Sequence, residues 1–173
     1  MLKVINLFAG PGAGKSTTAA GLFYKMKTDG FKVELVTEFA KEKVYDGHLG
    51  CLEDQIYVFA KQQRRLKRLV GSVDYAISDS PLLLSIIYNK DLSSNFDNLV
   101  LDFWGHYTNW NYFIVRDKPY AQYGRVQNEE QAMEIDLRVL ALLAKTSSYV
   151  NISGKDAVEE IYNSVIRRVA DGR

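Results

Sequence analysis

Short apolar runs alternate with longer amphipathic stretches along this chain. Leu2 to Phe8 is apolar at nearly every position, the pattern of a strand buried on both faces. Ser16 to Thr28 switches to helical spacing, with Ala19, Leu22, Phe23 and Met26 on one face, and Gly30 stands where a helix C-terminal glycine belongs. Lys32 to Val36 predicts a second strand, and Phe39 to Val44 a short helix broken near Asp46 and Gly47. Leu52 to Val70 predicts a long amphipathic helix that buries Leu52, Ile56, Phe59, Leu66 and Val70. Asp74 to Asp79 predicts a third strand, after which Pro81 can open a helix. A helix over Asn95 to Tyr107 and a strand over Asn111 to Val115 follow. The polar stretch from Arg116 to Asn128, with Pro119 and Gly124, reads as a loop. Glu129 to Ala144 is the next helix, Ser148 to Ile152 a fifth strand, and Lys155 to Val169 a closing helix. Strands alternating with helices imply an α/β fold with a parallel sheet covered on both faces.

The 173 residues predict one compact domain over 1–173, and no repeat or Pro/Gly-rich linker interrupts them. Lysine and arginine total 22 against 21 acidic residues, a net charge of +1, so no global field marks a nucleic-acid or membrane binder. Cys51 is the one cysteine; it forms no intrachain disulfide and points to a reducing, cytoplasmic setting. With two histidines for company it does not predict a zinc site. The opening MLKVINLF is too short an apolar run for a signal peptide, and no run approaches the roughly 20 residues that span a bilayer. No heptad or apolar patch declares an oligomeric state.

Candidate chemistry enters between the first strand and the first helix, where the chain reads LFAGPGAGKSTT. This is the phosphate-gripping pattern GxxxxGK[ST] with Ala9 in the slot of the first glycine. Gly10, Gly12 and Gly14 let backbone N–H groups converge on a phosphate, and the helix N-terminus adds its partial positive charge. The whole cradle, Gly10, Pro11, Gly12, Ala13, Gly14, Lys15, Ser16 and Thr17, is expected to hold a nucleoside triphosphate. Lys15 can bridge its outer phosphates and Ser16 can place a hydroxyl on a magnesium ion. Ala9 adds one methyl group, tolerable where the backbone has an ordinary φ. The dinucleotide pattern GxGxxG does not fit, because Lys15 stands where its last glycine belongs. Two carboxylates sit at the carboxyl edge of the predicted sheet, where ligands bind in open parallel sheets. Asp79 ends the third strand and can hold a magnesium-bound water; the plainer reading is a helix N-cap, with Ser80 as rival. Glu38 follows the second strand, where a helix-start carboxylate favoured by the dipole is the plainer reading.

With these residues in place the chain resembles the P-loop kinases of small molecules. These are the nucleoside monophosphate, thymidylate and deoxynucleoside kinases and the related NadR-type ribosylnicotinamide kinase domains. The resemblance rests on AGPGAGKST, VTEFAKE, AISDSP and RDKPYAQYGRVQNEEQAMEID, the last looking like a lid, about residues 116–128, followed by its helix. It implies a three-layer P-loop kinase fold: a five-stranded parallel sheet of order 2-3-1-4-5, helices on both faces and a lid. It implies ATP and Mg2+, with Ser16 and Asp79 on the metal. It also implies that Glu38 acts as base on an acceptor hydroxyl, whose high pKa gives a carboxylate something to do. Gln55 and Gln62, seven apart on one helix face, correspond to residues that offer amides to the acceptor's base. Arg125 and Arg116, with Lys118, would bring positive charge over the transferring phosphoryl group, and Tyr120 and Tyr123 stack on a base or line the lid.

Ser80 stands where the family often carries an arginine, and neither strand end supplies one to screen an acceptor phosphate. The chain is therefore expected to be a phosphotransferase acting on a hydroxyl of a nucleoside, nucleotide or related small molecule. Three alternatives stay open: a kinase of a hydroxymethyl-pyrimidine in DNA, a nucleoside monophosphate kinase, and a non-kinase NTPase or regulatory module. The basic run Lys61 to Arg68 would serve the first of these, or simply be a solvated helix face. Trp104 and Trp110 read as packing residues. Nothing in the sequence separates ATP from GTP.

Overall fold

The computed structural model describes residues 1–117, 119–120 and 127–172. Five strands, β1 (Lys3–Phe8), β2 (Val33–Val36), β3 (Tyr75–Ser78), β4 (Thr108–Val115) and β5 (Val150–Ser153), form one parallel sheet in the order β2-β3-β1-β4-β5. That is the order the resemblance implies. Because the sheet is parallel, every connection crosses a face and deposits a helix there.

Side chains alternate across the strands and divide the core in two. Val4, Phe8, Ala76 and Phe113 face one layer and pack against Phe59, Leu66, Ile87, Phe96, Val100, Val139 and Leu143. These come from α3 (Gln55–Lys67), α4 (Leu84–Tyr88), α5 (Ser94–Gly105) and α6 (Glu129–Thr146). Ile5, Leu7, Ile77, Tyr112 and Ile114 face the other layer, built from Leu22 and Met26 of α1 (Lys15–Thr28) and Ile161 and Val165 of α7 (Ala157–Ala170). Trp110 is fully buried and Trp104 packs on the first cluster, so both indoles are core residues.

Two stretches depart from the expected pattern. The single helix expected over Leu52 to Val70 is a 3-10 turn at Leu49–Leu52, then α3. Asp54 separates them: its carboxylate accepts from the Tyr57 N–H at 3.0 Å and caps α3. The restart moves the buried face. Phe59 and Leu66 point inward with Gln62, whereas Ile56 and Val70 are each 54% exposed. Pro81 does not open α4 directly; it sits one turn ahead, its carbonyl accepting from Leu84 N–H at 2.9 Å.

Candidate functional site

The carboxyl ends of β1, β2 and β3 bring the sequence-named residues to one edge. β1 runs into the glycine-rich loop, and α1 leaves it at Lys15 with Gly14 as the N-cap residue. Ala9 is 1% exposed and has an ordinary backbone, since among the described residues only glycines have positive φ. Its methyl group simply joins the core. Gly12 carries φ 82°, the left-handed region that excludes most side chains. Gly10 is needed for another reason: a Cβ there would fall 2.4 Å from the Ala132 carbonyl oxygen of α6. No side chain caps Gly14, so the first N–H groups of α1 face the loop as an anion site. Lys15 folds back along the loop, donating from Nζ to the carbonyls of Ala9 at 2.8 Å and Gly10 at 2.9 Å. Burial pulls its pKa down, and the carboxylates of Glu38, Asp79 and Asp136 pull it back.

Asp79 follows β3 and is 4% exposed. Burial pushes its carboxyl up, while the Ser16 hydroxyl bonded to it, Lys15 and, farther off, Lys41 and Arg65 hold it down. Its Oδ1 is buried without a hydrogen-bond partner. That orphaned oxygen beside the Ser16 hydroxyl is the hard-oxygen pair a magnesium ion takes, so these two residues fit the metal. Glu38 follows β2 and is the N-cap residue of α2 (Phe39–Tyr45), though its side chain caps nothing. Burial pushes its carboxyl up as well, opposed by Lys15 and reinforced by Asp79. Ser16, Thr37, Glu38, Lys41, Glu42, Tyr45 and Asp79 line one cavity of about 240 Å3. A wider depression of about 350 Å3, around Phe31, Asp74 and Tyr75, opens at the opposite edge of the sheet and holds none of these groups.

On the far side of the loop, Arg116 leaves β4 and pairs with Asp136 of α6, Nη2 to Oδ2 at 3.0 Å. Its Nη2 also donates to the Pro11 carbonyl at 2.8 Å. The Tyr120 ring lies 2.7 Å from where a Gly12 Cβ would be, and its hydroxyl donates to the Gln127 carbonyl. Arg125, with Lys118 and Tyr123, lies outside the described residues. The α6 helix starts cleanly, with a reciprocal cap between Asn128 and Gln131.

A family model described as an AAA domain matches residues 4–160. The chain belongs to this AAA domain family. No curated protein matches it. Among solved structures it is similar to deoxyadenosine kinase from M. mycoides with bound dATP, at TM-score 0.56 and 18% identity, over 94% of this chain and 98% of that one. A second structure of that kinase, with the products dCMP and a flexible dCDP, gives TM-score 0.56 and 18% identity over 95% and 99%. The likeness identifies the P-loop kinase fold. Among the described residues no helix is long and apolar enough to cross a membrane.

Within this AAA domain, tertiary packing redistributes several sequence assignments. Gln62, matched by resemblance to an acceptor-binding amide, is 4% exposed and turned into the protein. It accepts from Phe39 N–H at 3.2 Å and donates to the Thr37 carbonyl at 3.3 Å, bracketing Glu38. Gln55 sits at the first turn of α3 and donates to the Leu52 carbonyl at 2.8 Å, outside the cavity lining. Arg65, expected only as part of the basic run Lys61 to Arg68, reaches the end of β2. From α3 it donates to the Thr37 carbonyl at 2.9 Å and to its hydroxyl at 3.0 Å, and pairs with Glu42 at 2.5 Å. That contact holds the Glu42 carboxyl below its ordinary range. Arg65 lies three residues beyond Gln62, on the same helix face, which is the signal that could have found it. Asp136 carried no signal beyond its place in the quoted lid-helix motif. Tyr88, at the end of α4, lies in the field of Glu38, and burial pushes its hydroxyl up.

Proposed function

We propose that this chain is an ATP-dependent kinase that moves the γ-phosphoryl group of ATP to a hydroxyl of a nucleoside, nucleotide or related small molecule. The observation that carries the reading is one cavity in which Glu38 and Asp79 meet Ser16 beside the phosphate loop. Asp79 and Ser16 suit a metal-bound phosphate, and a second, partly buried carboxylate lining the same cavity can take the proton of an acceptor hydroxyl. Nucleoside-type acceptors are supported by the fold likeness to a deoxyadenosine kinase.

The chain's own residues divide the work. The loop from Gly10 to Thr17 and the start of α1 hold the triphosphate, and Lys15 neutralises its outer oxygens. Ser16 and Asp79 would hold magnesium, which when bound supplies charge neutralisation at the phosphate oxygens. Glu38 orients the acceptor hydroxyl and takes its proton as the acceptor oxygen bonds to the γ-phosphorus. The bond from that phosphorus to the bridging oxygen breaks, and ADP leaves with the electron pair. Arg116 stands beside the loop to stabilise the charge that spreads over the transferred group, a role Arg125 of the lid would share. Arg65 is engaged by Thr37 and Glu42, so among the described residues no free guanidinium lines the cavity for an acceptor phosphate, which favours a hydroxyl. Among the described residues Lys41 is the cation that lines it.

The test is a transfer assay with labelled ATP and GTP against nucleosides, nucleotides, nicotinamide riboside and DNA containing hydroxymethyl-pyrimidine. Label appearing on an acceptor hydroxyl supports the reading. Release of phosphate alone, unchanged by any acceptor, would replace it with a plain NTPase.

A further inference from the structure

We propose that Asp136 is a positioning residue that bolts α6 to the phosphate loop and holds Arg116 with one amino group free over Gly12, facing the outer phosphates of a bound nucleotide. This rests on the reading of the loop as a triphosphate site.

Both carboxylate oxygens of Asp136 are engaged, each by a different element. Oδ1 accepts from the backbone N–H of Gly10 at 2.5 Å. Oδ2 accepts from Arg116 Nε at 3.2 Å and from Nη2 at 3.0 Å. Nη2 reaches on to the Pro11 carbonyl at 2.8 Å. One aspartate of α6 thus ties the loop entry to the end of β4. Ala132 lies four residues earlier on the same face of α6, and its carbonyl oxygen occupies the space a Gly10 side chain would need. Helix and loop approach each other closely there.

The arrangement consumes three of the five N–H groups of Arg116 and leaves the two on Nη1. Nη1 is buried with no hydrogen-bond partner and lies 3.2 Å from where a Gly12 Cβ would be. A buried cationic donor without an acceptor is unfavourable unless an anion completes it. The place it faces is the loop whose glycine backbone is shaped for phosphate. Asp136 has the length for this. Glutamate would add a methylene and carry its carboxylate past the positions from which Asp136 meets Gly10 and Arg116.

Asp136→Asn is the informative change, because its amide oxygen can still accept from Gly10 while the charge opposite Arg116 is gone. The full chain is titrated with Mg-ATP and with AMP by calorimetry, and transfer is timed, in wild type, D136N, R116A and the double variant. Expected are losses of ATP affinity or turnover on the order of 10- to 100-fold for each single variant, the range of a charge-assisted hydrogen bond. AMP affinity stays within about twofold, and the double variant is no worse than the weaker single one, as expected for residues that act as a unit. Independent losses that multiply in the double variant overturn the proposal, as does equal weakening of ATP and AMP. Should D136N fail to fold by circular dichroism, R116K replaces it, because lysine keeps the charge but cannot bridge Asp136 and Pro11 while leaving an amino group free. R116K that matches wild type overturns the proposal; R116K as impaired as R116A supports it. A wild-type chain that binds no triphosphate overturns the kinase reading as well, which separates the two failures.

Discussion

The side-chain carbonyl of Gln62 accepts a hydrogen bond from the backbone N–H of Phe39 at 3.2 Å, across 23 residues of sequence. The same amide donates to the Thr37 carbonyl, so the turn that carries Glu38 is held on both sides by one α3 residue. Gln62→Ala removes both contacts and leaves the buried Phe39 N–H unpaired, while the Thr37 carbonyl keeps its bond from Arg65. A loss of about 1–3 kcal/mol in urea unfolding is expected for such a group. In the proposed kinase, kcat should fall more than the ATP affinity, because the defect lies at Glu38 and not at the loop. Unchanged kcat in a folded Q62A protein would detach Gln62 from Glu38.

The pH dependence follows from Glu38. Burial raises its pKa above the ordinary 4.5, so its carboxyl stays protonated to a higher pH than a solvated glutamate. A base works only when ionised. Transfer should therefore rise with pH through this raised pKa and fall away below it. Glu38→Gln should reduce transfer by about 100- to 10,000-fold and erase that acid limb, with ATP binding preserved. A pH–rate series on both proteins at saturating ATP checks this, and a fully active E38Q protein removes Glu38 from the role.

Gly12→Ala tests the loop. The new methyl would sit 2.7 Å from the Tyr120 ring on a backbone of φ 82°. The left-handed conformation alone costs about 1–2 kcal/mol for alanine, and Tyr120 must also move. Thermal unfolding should shift down and ATP titration should lose most of its heat. Wild-type binding by G12A would mean that this face of the loop does not meet phosphate.

Ala9→Gly restores the first glycine of the motif and is expected to bring no gain. Ala9 is 1% exposed with an ordinary φ, so the change removes a buried methyl worth about 0.8 kcal/mol and adds backbone freedom to the unfolded chain. Stability should drop by roughly 1 kcal/mol with ATP affinity unchanged. A tighter-binding A9G protein would show that Ala9 constrains the cradle after all.

Local pattern carried most of the fold and half of the site. Apolar runs bounded by turn residues located the strands, most plainly β1 and β3, where burial on both faces of a parallel sheet writes itself into consecutive positions. The loop was legible because phosphate binding needs glycines, a lysine and a serine at fixed spacing within one turn. Glu38 and Asp79 were legible as candidates because strand ends at the carboxyl edge are where ligands sit. The interior of α3 was misjudged: Asp54 restarted the helix and changed which side chains face inward.

The sequence by itself determined the alternation of strands and helices, the phosphate loop and the carboxylates offered at the sheet edge. The tertiary structure alone decided which side chains meet across elements. Gly10 and Asp136 are 126 residues apart, Arg65 and Thr37 are 28 apart, and no periodicity relates either pair. The reason is physical. A spacing pattern records how one element divides its own surface between core and water, whereas a hydrogen bond between elements depends on where packing places two backbones, and that is settled only when the core closes.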